Sequence, residues 1–345
     1  MSELPKIVTI LSAPRSGSSA LSRMIARFGI NFGASSELLP PSDQNKYGFY
    51  ELQNILDLNE KLISLSLNYR VPDILQGIGF KETDAFVYAN SYWMAASRPL
   101  NKEMEISGNI EDEMENLVQE LGSVGKLAAI KDARLSVTLP IWSRFFQPVP
   151  IIIWRHPAQV ARSLERMSGL PTSIGEQSWF NYTMSALENC SHLNPLIISH
   201  DDLIGDPERI ARQLYQYLAE YMEIDESDID AAVAAIDVSE VHQAEKESPK
   251  NSNVAKLLVW LEEGEYSNLP KLPEESSCID YAPFMISTRN LYRRLKTIDA
   301  NMEKWQQRNQ ELTAKNQELR RELEKIRRIP GYSLARSMYR LIFRK

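Results

Sequence analysis

Cysteine is scarce in this chain, and its scarcity excludes two classes of protein. The 345 residues include only Cys190 and Cys278, too few for a disulfide framework or a cysteine-ligated metal site. We therefore expect a reducing compartment. Long apolar runs are also missing, so the sequence predicts no membrane-spanning segment. The stretch MSELPKIVTIL has no basic region followed by an apolar core, so we expect no signal peptide and a cytoplasmic location.

Basic residues are depleted in most of the chain and concentrated in one part of it. Residues 288–345 hold 16 Lys and Arg against 6 Asp and Glu, whereas residues 1–287 hold 23 against 40. The acidic part is a poor partner for nucleic acid, and we expect none to bind there. The basic part alone is suited to an anionic partner or a membrane surface.

The loop that follows the first apolar run of the chain lacks the Gly-Lys pair of the GxxxxGK[ST] motif. Its absence excludes a triphosphate-binding loop of that kind. The loop lies within the stretch IVTILSAPRSGSSALSRMIARFG, residues 7–29, where an apolar run predicts a buried strand and helical spacing follows. Free N–H groups at a helix start, hydroxyl side chains and the Arg15 guanidinium make this turn a candidate anion site. The alternative is a plain turn with a surface arginine.

Three more apolar runs predict strands, at residues 126–130, 150–154 and 196–198, and each is followed by a helical pattern. Alternating strands and helices predict an α/β fold, with a parallel sheet flanked by helices. In such sheets the ligand crevice lies at the carboxyl ends of the strands. Arg155 closes the third strand, and Ser163 follows eight residues later, about two turns into a helix. A guanidinium and a hydroxyl on one crevice would bind a second phosphate.

At these two sites the sequence resembles the sulfotransferases that use 3′-phosphoadenosine 5′-phosphosulfate (PAPS). PRSGSS, residues 14–19, resembles the family's 5′-phosphosulfate loop. IWRHP, residues 153–157, followed by Ser163, resembles its 3′-phosphate motif, including the spacing of eight residues. The resemblance covers about residues 5–220 and implies a P-loop-like sulfotransferase fold. Three other segments are similar to bacterial members: GFYE (48–51), KDARL (131–135) and DLIGDP (202–207).

The resemblance implies that PAPS is the co-substrate, that no metal takes part, and that Arg15 acts in catalysis. It also implies the cofactor-binding residues, which are Arg15, Ser16, Gly17, Ser18 and Ser19 at the 5′ side and Arg155 and Ser163 at the 3′ side.

An acceptor hydroxyl needs a base to take its proton. Glu51 is our first choice, because some carbohydrate-modifying branches use a glutamate in this role, and Asp132 is the second. We expect His156, beside Pro157, to be structural. The histidine base of the family has no clear match, so the choice among these residues stays open.

The first loop departs from one branch of the family. The branch that modifies small phenols and steroids has lysine where this chain has Arg15, and arginine there is familiar from branches that act on carbohydrates. The resemblance therefore implies a carbohydrate or glycolipid acceptor. Two other interpretations compete with the sulfotransferase one. They are a kinase-like phosphotransferase and a non-catalytic coiled-coil scaffold with a degenerate nucleotide fold.

A heptad repeat marks the basic part of the chain. Apolar residues recur every three or four positions over residues 291–326, with Asn309 and Asn316 at a positions, which predicts a two-stranded parallel coiled coil. A homodimer follows from it; a single helix packed on the body is the alternative. After it, residues 329–345 form a basic amphipathic stretch suited to peripheral membrane contact or to docking on the acidic body. The predicted domains are thus 1–260 (α/β), 261–287 (linker), 288–328 (coiled coil) and 329–345.

Overall fold

The protein is described here by a computed structural model. The structure describes residues 4–41, 45, 47–66, 100–123, 127–168, 172–237, 246–264, 266, 269, 282–328 and 330–343. Most of the linker predicted over residues 261–287 lies outside them.

One parallel sheet organises the fold, with the strand order β2-β1-β3-β4. The strands are β1 (Lys6–Leu11), β2 (Ala128–Lys131), β3 (Gln147–Trp154) and β4 (Leu196–Ser199). The chain leaves β1 toward one edge and β3 toward the other edge. A crevice therefore opens between the carboxyl ends of these two central strands, at the point where the connections diverge. The predicted α/β fold with a parallel sheet is confirmed.

Helices connect the strands and cover both faces of the sheet. In chain order the described helices are α1 (Ser18–Ala26), α2 (Gln53–Ser66), α3 (Gly108–Gly122), α4 (Leu135–Trp142), α5 (Pro157–Ser168), α6 (Thr172–Cys190), α7 (His200–Gly205), α8 (Pro207–Leu218), α9 (Asp228–Ala234), α10 (Ser252–Glu263), α11 (Ala282–Arg327) and α12 (Tyr332–Phe343).

The central strand β3 contributes to two apolar cores, because successive side chains of a strand point to opposite faces. Ile151 and Ile153 pack with apolar residues of α1 and α8 on one face. Ile152 and Trp154 pack with apolar residues of α4, α6 and α10 on the other face. Burial on both faces explains why the strand is a continuous apolar run in the sequence.

Aspartate and serine are favoured at helix starts, so the sequence predicts that Asp206 caps α8 and Ser227 caps α9. Asp206 does so by accepting a hydrogen bond from the amide of Arg209. Ser227 does not, because its backbone is already helical and its side chain makes no cap hydrogen bond. The carboxylate of Asp225 instead accepts the amide of Ser227 at 2.9 Å.

The sequence analysis did not predict helix α6, which packs on the same face of the sheet as Ile152 and Trp154. The helix has buried residues around most of its circumference, polar ones such as Ser178 and Thr183 among them, so no amphipathic period marks it. Its close approach to α5 occurs at Gly175, where a Cβ atom would lie 2.7 Å from the Cα atom of Ala161.

The chain divides into two compact units, residues 1–285 and 286–345. The second unit contains most of the 46-residue helix α11 and all of α12. No described helix has the length and apolarity that crossing a bilayer requires.

Candidate functional site

The loop after β1 turns at residues with positive φ. Arg15 has φ of 67° and Gly17 has φ of 93°. Glycine adopts this region freely, whereas arginine does so rarely, and such backbone strain is found at functional sites. Helix α1 begins at Ser18, and no side-chain hydrogen bond caps its start. The first-turn N–H groups and the positive end of the helix dipole therefore face the loop, which suits an anion.

His200, which follows β4, packs against this loop. A Cβ atom added to Gly17 would lie 2.3 Å from Cδ2 of His200, so a side chain cannot be accommodated there without rearrangement. His200 follows β4 and is buried. Burial lowers its pKa. Sequence reasoning gave His200 no role, since only the packing of β4 beside β3 brings it to the loop.

The two predicted anion sites meet in the structure. Nε of Arg15 donates a hydrogen bond to Oγ of Ser163 on α5 at 3.0 Å. Arg155, at the end of β3, donates from Nε to Oε1 of Gln159 at 3.0 Å and lines the same cavity as Arg15. Burial lowers the pKa of Arg155, Asp201 opposes that shift, and the Arg15 charge adds to it. Two guanidinium groups that influence each other's charge thus line one cavity.

Lys131 joins three parts of the site. Its Nζ donates to Oε1 of Glu51 at 2.5 Å, to the carbonyl oxygen of Phe49 at 3.0 Å and to Oγ of Ser19 at 3.2 Å. The side chains of Lys131 and Glu51 are each 5% exposed. All three ammonium protons are used, so the end of β2 fixes the entry of α2 against the first turn of α1.

A cavity of about 200 Å³ opens where these groups converge, at the carboxyl edge of the sheet. Among the described residues, three cationic side chains and one carboxylate line it, so its charge suits an anionic ligand. Its lining residues are Pro14, Arg15, Gly17, Ser18, Ser19, Asn45, Phe49, Glu51, Lys131, Ala133, Arg155 and Met167.

Glu51 supplies the carboxylate in the described part of the cavity lining. Burial raises its pKa, and the Lys131 ammonium opposes this shift. One oxygen, Oε1, accepts from Lys131, while Oε2 is buried and has no hydrogen-bond partner among the described groups. A buried carboxylate oxygen without a partner is costly, which favours a proton-bearing ligand group as its partner.

The two other predicted candidates for the base have structural partners. Asp132 is fully buried, accepts from Asn59 and Arg134, and does not line the cavity. His156 is buried, and its Nδ1 accepts the amide of Ala158 at 3.3 Å at the start of α5. Burial lowers the pKa of His156, so its neutral form is favoured there.

Not every predicted residue lines the cavity. Ser16 is fully buried and lies outside the lining, and its Oγ has no hydrogen-bond partner among the described groups. Ser163 does not line the cavity itself but accepts a hydrogen bond from Arg15, which does.

Lys131 lines the cavity although the sequence analysis assigned it no role. The signal that points to it is a charged residue at the end of a parallel strand.

The site can bind a polyanion and remove a proton next to it. The helix start and the cations of the lining hold negative charge, and the Glu51 carboxylate lies on the same cavity. Among the described residues, no group of three or more His, Cys, Asp or Glu side chains is placed to hold a metal ion.

Comparisons with known proteins give structural resemblances only. No family model matches the chain, and no curated protein matches it. It is similar to a sulfotransferase domain from the curacin biosynthetic pathway, with 17% identity, 84% of this chain and 99% of that chain covered, and a TM-score of 0.39. It is also similar to sulfotransferase STF9 from Mycobacterium avium, with 13% identity, 68% of each chain covered and a TM-score of 0.40. A third is the sulfotransferase domain of the Synechococcus PCC 7002 olefin synthase, with 17% identity, 84% and 96% coverage, and a TM-score of 0.35.

Proposed function

We propose that this protein is a sulfotransferase that moves the sulfuryl group of PAPS to an acceptor hydroxyl. The observation that carries the proposal is the convergence of Arg15, Lys131 and Arg155 on one cavity that also holds the Glu51 carboxylate. Clustered cations repel one another and lose hydration, so the arrangement favours a ligand with several negative charges.

Two anionic ends of the nucleotide have separate partners in this proposal. The strained loop, the start of α1, Ser18 and Ser19 bind the 5′-phosphosulfate. Arg155 binds the 3′-phosphate together with Ser163, whose Oγ already accepts from Arg15 at 3.0 Å. A guanidinium fork matches a phosphate dianion, so the 3′-phosphate selects PAPS over nucleotides that lack it.

Transfer requires one bond to form as another breaks. The acceptor oxygen bonds to sulfur, the bond between sulfur and the 5′-phosphate oxygen breaks, and negative charge develops on that leaving oxygen. By analogy with phosphoryl transfer, the transition state is in line and loose. Arg15 and the N–H groups of α1 stabilise the leaving oxygen electrostatically.

Glu51 takes the acceptor proton in this mechanism. Its Oε2 has no partner among the described groups, and burial raises its pKa, which makes the carboxylate a stronger base. Lys131 holds Oε1 and so fixes the direction of the free oxygen atom. A buried Lys–Glu pair can also be purely structural. If Glu51 is the base, replacing it should abolish turnover without weakening ligand binding, which a purely structural role would not predict.

We propose a carbohydrate or glycolipid as the source of the acceptor hydroxyl. The support is the arginine at position 15 and the glutamate at position 51, which resemble the carbohydrate-acting branches of the family.

The deciding measurement is calorimetric titration with adenosine 3′,5′-bisphosphate, with ADP and AMP as comparison ligands. We expect the bisphosphate to bind tightly and the other two weakly. Arg155→Ala should weaken its binding by about tenfold to a hundredfold, since a charged hydrogen bond contributes about 1.5–3 kcal/mol. Arg162→Ala, on helix α5 that follows Arg155 but paired with Glu247, is the matched control and should change nothing.

Equal binding of ADP would contradict the 3′-phosphate site and favour a kinase-like phosphotransferase. Binding of none of the three ligands would favour the scaffold.

We also propose that the chain is a homodimer through residues 291–326. Apolar residues at the heptad positions of α11 are exposed in the single chain, with Trp305 67% exposed and Leu312 50%. A stripe of this kind on a long helix is stabilised by a second helix packed along it. Asn309 and Asn316 occupy a positions of the heptad, where asparagine favours a parallel coiled coil of two helices.

A further inference from the structure

Residues 325–345, here called the basic segment, carry positive charge only. They contain seven Lys and Arg and no Asp or Glu, in a chain whose net charge is −7. The cations are Lys325, Arg327, Arg328, Arg336, Arg340, Arg344 and Lys345.

The basic segment contains its own helix. Helix α11 ends at Arg327, Gly331 has φ of 91°, and α12 then runs over Tyr332–Phe343. Glycine in this left-handed conformation interrupts the helix, so α12 is separated from the heptad pattern before it. It is therefore a distinct element that needs its own explanation.

Helix α12 has an apolar face and a basic face. Leu334 and Met338, one turn apart, are 69% and 56% exposed. Arg336 and Arg340 are also one turn apart, and at 100° per residue they lie about 200° around the helix from the apolar pair. The sequence continues the apolar spacing at Leu341.

We propose that α12 binds the surface of an anionic lipid bilayer and lies parallel to it. Its apolar face enters the boundary between headgroups and acyl chains, while its arginines contact the lipid phosphates. Twelve residues span about 18 Å, less than the hydrocarbon core of about 30 Å, so the helix lies on the membrane and does not cross it. The proposal is independent of the sulfotransferase activity.

Charge and apolar contact are both needed for this binding. The binding strength of an interfacial helix depends on its buried apolar area together with its electrostatic attraction to anionic lipids. The basic segment supplies both. A parallel dimer would carry two such helices, and the second would bind at a high effective concentration once the first is attached.

Vesicle flotation with the full chain tests the proposal. We expect the protein to float with vesicles of phosphatidylcholine mixed with phosphatidylglycerol and to remain behind with phosphatidylcholine alone. High salt should release it, because screening weakens the attraction of the arginines to the phosphates. Equal binding to both vesicles, or binding to neither, would overturn the proposal; the latter is the result expected if α12 docks on the acidic body.

Two variants separate charge from apolar insertion. Arg336→Glu/Arg340→Glu should weaken binding at least about 30-fold, because each basic residue near an anionic surface contributes about a factor of five. Leu334→Ser/Met338→Ser should also release the protein, although its charge is unchanged.

Lys304→Glu/Arg321→Glu is the matched control, with the same charge change on exposed positions of α11 outside the heptad stripe. It should retain vesicle binding within a few-fold, and an equal loss in this control would overturn the assignment to α12. Both of the exposed α12 variants are expected to keep the native mass and helical content, which shows that they fold.

Discussion

Glu51 combines features of a catalytic and of a structural carboxylate at the scale of a single residue. Its Oε1 is held by Lys131 at 2.5 Å, as in a structural ion pair. Its Oε2 has no partner among the described groups, and the side chain lines the cavity beside Arg15. The second oxygen is thus the atom through which the residue can act on a ligand.

Glu51→Gln should therefore remove turnover and spare nucleotide binding. The amide cannot take a proton, so the rate of sulfuryl transfer should fall by about 10²–10⁴-fold, while bisphosphate affinity in calorimetry stays unchanged. Glu111→Gln, a half-exposed partner of Arg144, is the control and should behave like the native chain. Retained turnover in Glu51→Gln would show that another group is the base.

The charge of Lys131 favours the ionised form of Glu51. Its positive charge lowers the pKa of the Glu51 carboxyl, in opposition to the burial that raises it. Lys131→Gln should raise that pKa further, and because only the carboxylate acts as a base, the activity should begin to fall at a higher pH.

The measurement is the pH profile of kcat/KM, whose acid limb should shift toward neutral pH in Lys131→Gln. Lys61→Gln is the control, because it removes a lysine from the pair with Glu113, which is far more exposed to solvent than the pair of Lys131 and Glu51. It should leave the acid limb of the profile in place. A lower rate with an unmoved limb would mean that Lys131 does not set the pKa of Glu51.

At the scale of elements, a buried polar network ties α2 to the sheet. Asp132, at the end of β2, accepts from Nδ2 of Asn59 at 2.7 Å and from Nη1 of Arg134 at 2.9 Å. Arg134 also pairs with Glu60 on α2 at 2.6 Å. The network holds in place the helix whose entry carries Glu51.

Asp132→Ala should destabilise the protein by about 1–3 kcal/mol, since it removes one acidic partner of the buried Arg134 and takes away the acceptor of the Asn59 amide. Thermal or denaturant unfolding measures the loss. Asp202→Ala removes a carboxylate from an exposed pair with Arg209, so it should cost about 0–1 kcal/mol. Equal effects of the two changes would refute the structural role of Asp132.

At the scale of the whole molecule, the exposed stripe of α11 predicts a dimer. Leu312→Glu/Leu319→Glu should convert it to a monomer, because four glutamates would face one another in the coiled coil. Light scattering on the full chain measures the mass. Gln307→Glu/Ala314→Glu adds the same charge on the outer face of α11 and should remain dimeric. A native chain that is already monomeric would contradict the proposal.

Local patterns in the sequence determined much of the fold and part of the site. The strands follow from continuous apolar runs, because they are buried on both faces, and several helices follow from periodic apolar residues, because they are buried on one side. The loop with Arg15 and the spacing from Arg155 to Ser163 are also local, so they could be recognised without a structure. Helix α6 was not, since burial around most of its surface leaves no period.

Contacts between distant residues were decided only by the tertiary structure. Lys131 and Glu51 are 80 residues apart in the chain, and Arg15 and Ser163 are 148 apart. The strand order β2-β1-β3-β4 brings the ends of β1, β2 and β3 to one edge, and no local pattern specifies that order. The sequence thus determined which groups are available, while the packing of the strands decided which of them meet, because a side chain's partners depend on how the whole sheet assembles.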